Sequence, residues 1–352
     1  MGIKRFLIET ALKKRETLNL KSSEVKRFQE LAEQIWIPFD PEPNVVPVVY
    51  AVDGSMNKKE FAGQLVYAIG AGSVLFENGK EANKEGYEVD IDILKPEEYS
   101  DARLRMLMGI LEVKEALKVV DKSSIIFIDG SIVGSVIRPT VFSYEINEEI
   151  EKRVEDLFNE LIEDFSLGEI TSKKFYKRIE EFAKGKEFPV AAGYLEYLEY
   201  LYSLYLLLEK GSEKIVAISK RSDSRNYQLD SILPDITVLN YADLPVGYSE
   251  PKEIKIHKEK KFKFPIEFEE KLRKYSFNSF FVRLPKGNGV YKVETMISVN
   301  VLFPILKYFA IRGYPYPLKV VHHRVKITKK DMDDIIYTLK VRGITGREAL
   351  GE

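Results

Sequence analysis

Two stretches of this sequence end alike. Val48 to Ser55 is an apolar, β-branched run closing on Asp53-Gly54-Ser55, and Ser124 to Ser131 closes on Asp129-Gly130-Ser131. Such a run reads as a buried strand, and Asp-Gly as the turn that ends it. Between them, Leu104, Leu107, Met108, Leu111, Ala116, Leu117 and Val120 recur at helical spacing over 100–120. Glu112 stands one residue from that apolar stripe, at the boundary where a packed helix meets a sheet edge. Asp53, Glu112 and Asp129 together make a hard oxygen site of the kind that suits Mg²⁺ or Mn²⁺. Two such ions about 4 Å apart would clamp a phosphodiester, one activating water and the other stabilising the leaving 3′-oxygen. A cation would also relieve the repulsion among crowded carboxylates.

The elements that must position these groups follow in a fixed order. After the first strand, Gln64 to Phe76 reads as a second strand with Gly70 and Gly72 marking a bend, and Tyr87 to Leu94 as a third. These form an antiparallel meander, followed by the Glu112 helix and the Asp129 strand. A crossover through that helix would lay the Asp53 and Asp129 strands parallel, so that both carboxylates meet at one sheet edge. An Asp-Gly by itself is usually only a turn; it is the pair of them, in this order, that points to chemistry.

The rest of the chain is read more coarsely. Residues 4–36 have the pattern of one long amphipathic helix, and Pro38, Pro41, Pro43 and Pro47 punctuate the loop after it. The block from about 145 to 209 is helical, with breaks at Gly168 with Ser172 and at Lys186 to Pro189. Strands are expected at 214–219, 236–239, 253–257, 279–285 and 290–295, and helices at 298–311 and 329–342. The expected class is α/β: a ribonuclease-H-like mixed sheet core with a helical insertion and a long N-terminal helix. One domain spans 1–352, with 1–46 as helix and linker, 47–144 as the first part of the core, 145–210 as the insertion and 211–352 as the remainder.

Composition narrows the function classes. The 352 residues contain no cysteine, which removes disulfides, thiolate nucleophiles and Cys-bound zinc. Many Lys and Glu with only four Gln is a thermophile-like balance. The net charge of −1 argues mildly against a free-standing nucleic-acid binder, although a local basic channel can be masked in the sum. Met1 to Leu12 lacks the apolar core of a signal peptide, and Tyr194 to Leu208 is interrupted by Glu196 and Glu199. A soluble, cytoplasmic protein is expected. No phosphate-loop or dinucleotide fingerprint occurs, so an ATP-driven motor is not encoded here.

Further candidates each have a plainer reading. Lys220 and Arg221 follow an apolar strand and would hold phosphate; otherwise they are a solvated pair. His322 would ligate metal or donate a proton; otherwise it is a hydrogen-bonded, half-buried histidine. Glu115 is an alternative to Glu112, better read as an exposed helix glutamate. Lys258, Lys260, Lys261 and Lys263, interleaved with Phe262 and Phe264, suit a strand of DNA but more often form an edge strand. Tyr194, Tyr197, Tyr200, Tyr202 and Tyr205 lie on more than one helix face and read as packing.

The chain resembles the NurA nuclease family of archaea and some bacteria. The resemblance rests on VYAVDGS at 49–55, RLRMLMGILEVKEA at 103–116, IIFIDGS at 125–131, VAISKRS at 216–222 and GYPYPLKVVHHRVKI at 313–327. It implies a ribonuclease-H-like fold and a Mn²⁺-dependent 5′→3′ exonuclease acting on single- and double-stranded DNA, with endonuclease action on single strands. It also implies a homodimer working with a hexameric HerA-type translocase in DNA end resection for recombinational repair. Carried over, the family's metal carboxylates fall on Asp53, Glu112 and Asp129, its Ser-Lys on Ser219 and Lys220, and its histidine on His322. His323 is adjacent, and register prefers His322. The competing class is a non-catalytic adaptor on the same scaffold; its sign would be carboxylates too far apart to share a metal.

Overall fold

The structure, a computed structural model, describes residues 3–18, 22–61, 64–95, 97–136, 146–256 and 266–341. Helices α1 (Ile3–Leu18) and α2 (Ser22–Glu33) lead into a short strand, β1 (Trp36–Pro38). Three long strands follow: β2 (Val49–Phe61), β3 (Gln64–Glu77) and β4 (Lys80–Leu94). Helix α3 (Ser100–Val119) connects to β5 (Ile125–Asp129) and a short α4 (Ile132–Val136). Helices α5 (Glu148–Glu163), α6 (Tyr176–Phe182) and α7 (Glu187–Gly211) precede β6 (Ile215–Ser219) and α8 (Asp235–Tyr241). Next come β7 (Gly247–Ser249), β8 (Lys252–Lys255), α9 (Ile266–Arg273), β9 (Ser276–Arg283), β10 (Tyr291–Thr295) and α10 (Val299–Tyr308). A small hairpin, β11 (Ala310–Ile311) and β12 (Tyr314–Pro315), leads to α11 (Tyr316–Val325) and α12 (Lys329–Leu339).

Ten strands make one mixed sheet in the order β1-β7-β9-β10-β6-β5-β2-β3-β4, with β8 also on β9. The meander β2-β3-β4 is antiparallel, as the three consecutive strands led us to expect. Strands β2, β5 and β6 are parallel, with Val52 opposite Ile128 and Asp129 opposite Ile218. Their apolar residues are buried on both faces, which is why these strands read as continuous β-branched runs.

Each face of the sheet has its own core. Tyr50, Val52, Ile126 and Ala217 pack under α3 and α7, whereas Ala51, Phe127 and Ile218 pack under α10 and α11. Helix α3 is thus sandwiched between sheet and α7, and it is buried on nearly every side. Its charged residues on the α7 side are neutralised there. Arg103 pairs with Glu196 at 2.6 Å and Lys114 with Glu199 at 2.6 Å, all four side chains fully buried. The helical block beginning at α5 therefore serves to cover α3. A third core joins Phe28 and Ala32 of α2 to Val238 and Leu239 of α8.

Several sequence-based expectations are corrected. The long N-terminal helix over 4–36 is described as two, α1 and α2, and the chain is already strand at Trp36; residues 19–21 lie outside the described residues. Strand β2 does not stop at Asp53-Gly54 but pairs with β3 through to Phe61. The Ile236–Leu239 run is helical, not a strand. Pro234 precedes its first turn, Asn240 donates back to the Ile236 carbonyl at 2.8 Å, and packing on α2 overrides the β-branched local preference. The Lys258–Phe264 cluster falls outside the described residues. No helix among the described residues is long and apolar enough to cross a membrane.

Candidate metal centre

Asp53 and Asp129 sit where two parallel strands part. On β2 the pairing with β5 ends at Val52, and on β5 the strand itself ends at Asp129, so both carboxylates emerge at the same sheet edge. Both project to the α11 face, since the alternating residues Ala51 and Phe127 pack there. The side chain of His322 arrives from above, on α11. That helix starts at two prolines, Pro315 and Pro317, which suit a helix's first turn. It buries Leu318, Val321 and Val325 against the sheet. Just beyond its end, Ile327 donates its N–H to Ser55 Oγ (3.0 Å) and accepts from Asn57 Nδ2 (3.1 Å). Both anchors lie on β2, two and four residues past Asp53.

The outcome is a compact donor set. His322 Nδ1 lies 2.8 Å from Asp53 Oδ2. One ligand atom from each of Asp53, Asp129 and His322 lies within 4.8 Å of the others. Lys220, at the end of β6, contacts Asp129 Oδ2 at 2.5 Å. His323 has its ring 6.0 Å from that of His322, and it is His322 that meets Asp53. Glu112 stands outside the 4.8 Å group but beside it. A Cβ on Gly54 would lie 3.5 Å from Glu112 Oε2 and 2.9 Å from Met108 Cγ, so glycine next to Asp53 is what admits α3 so closely. Glu112 and Asp129 line a common cavity of about 60 Å³ with Arg105 and Tyr200. Ser219 is buried at the end of β6, and Arg221 beyond it is exposed.

Two carboxylates and an imidazole suit a divalent ion. The nitrogen donor favours Mn²⁺ over Mg²⁺, which prefers oxygen ligands in strict octahedral geometry. Electrostatics point the same way. Burial and then the neighbouring Asp129 raise the Asp53 pKa above its ordinary value, against lowering by His322 and by the Gly54 N–H. A proton is thus held on Asp53 more readily in the fold than in the unfolded chain. Fold stability from this group is fullest below the ordinary carboxylate pKa and is lost as pH rises through the raised value. In chelator, Asp53→Asn is accordingly expected to melt above the unsubstituted protein at pH 7, with the gap narrowing towards pH 5. Added Mn²⁺ should reverse the order, since the metal needs the deprotonated carboxylate. Thermal melts across that pH range check both signs.

One residue was not singled out from the sequence, and another was misread. Tyr314 of β12 lies under Lys220, whose Nζ is 4.9 Å from the ring centroid, and its ring meets Tyr291 at 5.1 Å. Among the described residues, its buried hydroxyl has no hydrogen-bond partner. Burial, then the charges of Asp129 and Asp53, push its pKa well up. Tyr314 lies inside the 313–327 motif, from which only the histidines were singled out. Glu115 is the second: far from an exposed glutamate, it is buried and accepts from Ser73 Oγ at 2.7 Å.

The sequence profile of the NurA domain matches residues 47–327. The chain belongs to the NurA family. A relative from Methanocaldococcus jannaschii, called a probable DNA double-strand break repair nuclease NurA, is 29% identical and covers 98% of this chain and 92% of its own. A NurA from Sulfurisphaera tokodaii, described as a DNA double-strand break repair nuclease, is 29% identical over 90% of this chain and 87% of its own. The crystal structure of the Sulfolobus solfataricus NurA nuclease superposes with a TM-score of 0.71 at 21% identity, covering 96% of this chain and 97% of that one. A NurA structure bound to dAMP and manganese gives 0.67 at 20% identity, covering 97% and 96%. The mixed sheet with its flanking helices is therefore the NurA fold, across nearly the whole chain.

Proposed function

We propose that this NurA chain is a Mn²⁺-dependent DNA nuclease whose metal is held by Asp53, Asp129 and His322, with Glu112 completing the site. The observation that carries this reading is the convergence of the three donor groups within 4.8 Å. That spacing is opposite to the separated carboxylates expected of a non-catalytic adaptor. A bound metal supplies Lewis-acid activation of water and charge stabilisation of the leaving oxygen. Glu112, across Gly54, is positioned to serve a second ion of a two-metal pair. Lys220 leaves Asp129 to hold a non-bridging phosphate oxygen, and Arg221 extends that contact along the backbone. His322 orients Asp53 through Nδ1, and the Tyr314 hydroxyl offers one more donor to phosphate. The order β4-β3-β2-β5-β6, antiparallel then parallel, supports a ribonuclease-H-like core within a single domain.

The names of the relatives support a role in double-strand break repair. The finer reading is 5′→3′ degradation of single- and double-stranded DNA, with endonuclease action on single strands. It includes a cytoplasmic homodimer working with a HerA-type hexameric ATPase during end resection. Degradation of end-labelled linear DNA in Mn²⁺, Mg²⁺ and EDTA tests the activity. Shortening from the 5′ end in Mn²⁺ and none in EDTA is expected. No cleavage with any metal, even with a HerA-type partner added, would leave the adaptor reading standing.

A further inference from the structure

The tips of two hairpins meet beside the metal centre, and each carries a cation where turn chemistry calls for something else. The β11–β12 hairpin closes through Arg312-Gly313, with Ile311 opposite Tyr314. Both loop residues are left-handed, at φ 53° and 76°. That is the pattern of a two-residue primed turn, whose first position favours Asn, Asp or Gly. The β9–β10 connection turns at Leu284-Pro285-Lys286-Gly287, where the Gly287 N–H donates to the Leu284 carbonyl at 3.3 Å. Lys286 has φ 59° in the third position, which favours Gly or Asn. Local conformation therefore selects against Arg312 and Lys286, and their side chains must serve another end.

The two tips are locked together. A Cβ on Gly313 would lie 2.1 Å from Gly287 Cα, and one on Gly287 would lie 2.6 Å from Gly313 Cα. This backbone contact brings together the two turns on which Lys286 and Arg312 stand. Both are exposed, and among the described residues neither has an ion-pair partner, whereas Lys173, Lys307 and Arg324 do. The next residue after Gly313 is Tyr314, which lies under Lys220, which in turn contacts Asp129. Arg312 is thus two residues from Tyr314, on the hairpin that borders the site that would receive the scissile phosphate.

We propose that Lys286 and Arg312 form a clamp for the phosphodiester backbone of the DNA strand adjoining the cleaved phosphate. This rests on the nuclease reading above. The clamp holds a phosphate by charge and reads no base, so it acts on KM and on salt dependence rather than on the chemical step.

The test is the double variant Lys286→Gly with Arg312→Gly, which removes both cations and relaxes both left-handed positions. Its melting temperature should equal or exceed that of the unsubstituted protein. Binding of a fluorescent single-stranded oligonucleotide in chelator is measured by anisotropy against KCl concentration. The slope of log K against log salt should become shallower by about 1.4, roughly 0.7 for each lost phosphate contact on a single strand. In Mn²⁺, KM for DNA should rise on the order of tenfold while kcat stays within about twofold. The swap Lys286→Arg with Arg312→Lys should keep the original slope. An unchanged slope and KM in the glycine variant, with the unsubstituted protein cleaving DNA, would overturn the clamp alone. A protein that neither binds nor cleaves DNA would overturn the nuclease reading and the clamp with it.

Discussion

Asp129→Ala is expected to abolish DNA cleavage while leaving the fold intact. Its carboxylate is one of two in the donor set, and a metal-bound charge in such a site supplies several kcal/mol of transition-state stabilisation. A loss of about 4 kcal/mol corresponds to about a thousandfold in rate, at 1.36 kcal/mol per decade. Stability should barely change. The pair that Asp129 makes with Lys220 involves a lysine side chain 43% exposed, and solvent-screened pairs contribute about 0–1 kcal/mol. Rates on linear DNA in Mn²⁺, together with thermal melts in chelator, check both halves. A variant that retains more than about a tenth of the activity would contradict Asp129 as a metal ligand, because such a ligand is worth several decades.

The second large effect is on stability, at the two ion pairs between α3 and α7. Glu196→Leu leaves the buried Arg103 guanidinium without its carboxylate. Breaking a fully buried pair by removing one partner costs about 3–5 kcal/mol. Removing the charge from both sides together with the Tyr176 hydroxyl that also donates to Glu196 at 2.5 Å, Arg103→Met with Glu196→Leu and Tyr176→Phe, should recover most of that loss, because an apolar cluster of similar volume avoids the desolvation. The Lys114–Glu199 pair should behave differently. Glu199 also accepts the Thr171 and Ser172 N–H groups at 2.8 and 2.7 Å. Lys114 also donates to the Ser166 and Glu169 carbonyls at 2.7 and 2.8 Å. Lys114→Met with Glu199→Leu strands all four backbone groups, so the double change should stay destabilised. Denaturant midpoints of the single and combined variants measure this; equal recovery at both sites would show that the backbone contacts carry little energy.

The sheet edge that carries Asp53 and Asp129 was legible in the sequence because it is built from local signals. Apolar runs ending in Asp-Gly marked β2 and β5, helical spacing marked α3, an apolar run with Gly70 and Gly72 marked β3, and alternation over Tyr87 to Leu94 marked β4. Their order alone sufficed to bring Asp53 and Asp129 together. The end of β2 was misplaced because Asp-Gly usually signals a turn. Here Gly54 serves a different need, the close approach of Met108 and Glu112. What remained hidden depends on tertiary contact. Arg103 and Lys114 face α7, whose glutamates lie more than eighty residues away in sequence. Helix α11 was not expected from the sequence; it opens on Pro315 and Pro317, residues that begin helices as well as break them. The burial of Glu115 follows from Ser73 on a neighbouring strand, which no spacing within α3 reveals.

The central claim is that Asp53, Asp129 and His322 hold a catalytic Mn²⁺. An anomalous difference map from crystals of this protein soaked in Mn²⁺ tests it most directly. The account predicts a peak bonded to both carboxylates and to His322, with Lys220 withdrawn from Asp129. Mn²⁺ bound elsewhere, in a protein whose crystals and solutions cleave DNA, would contradict it.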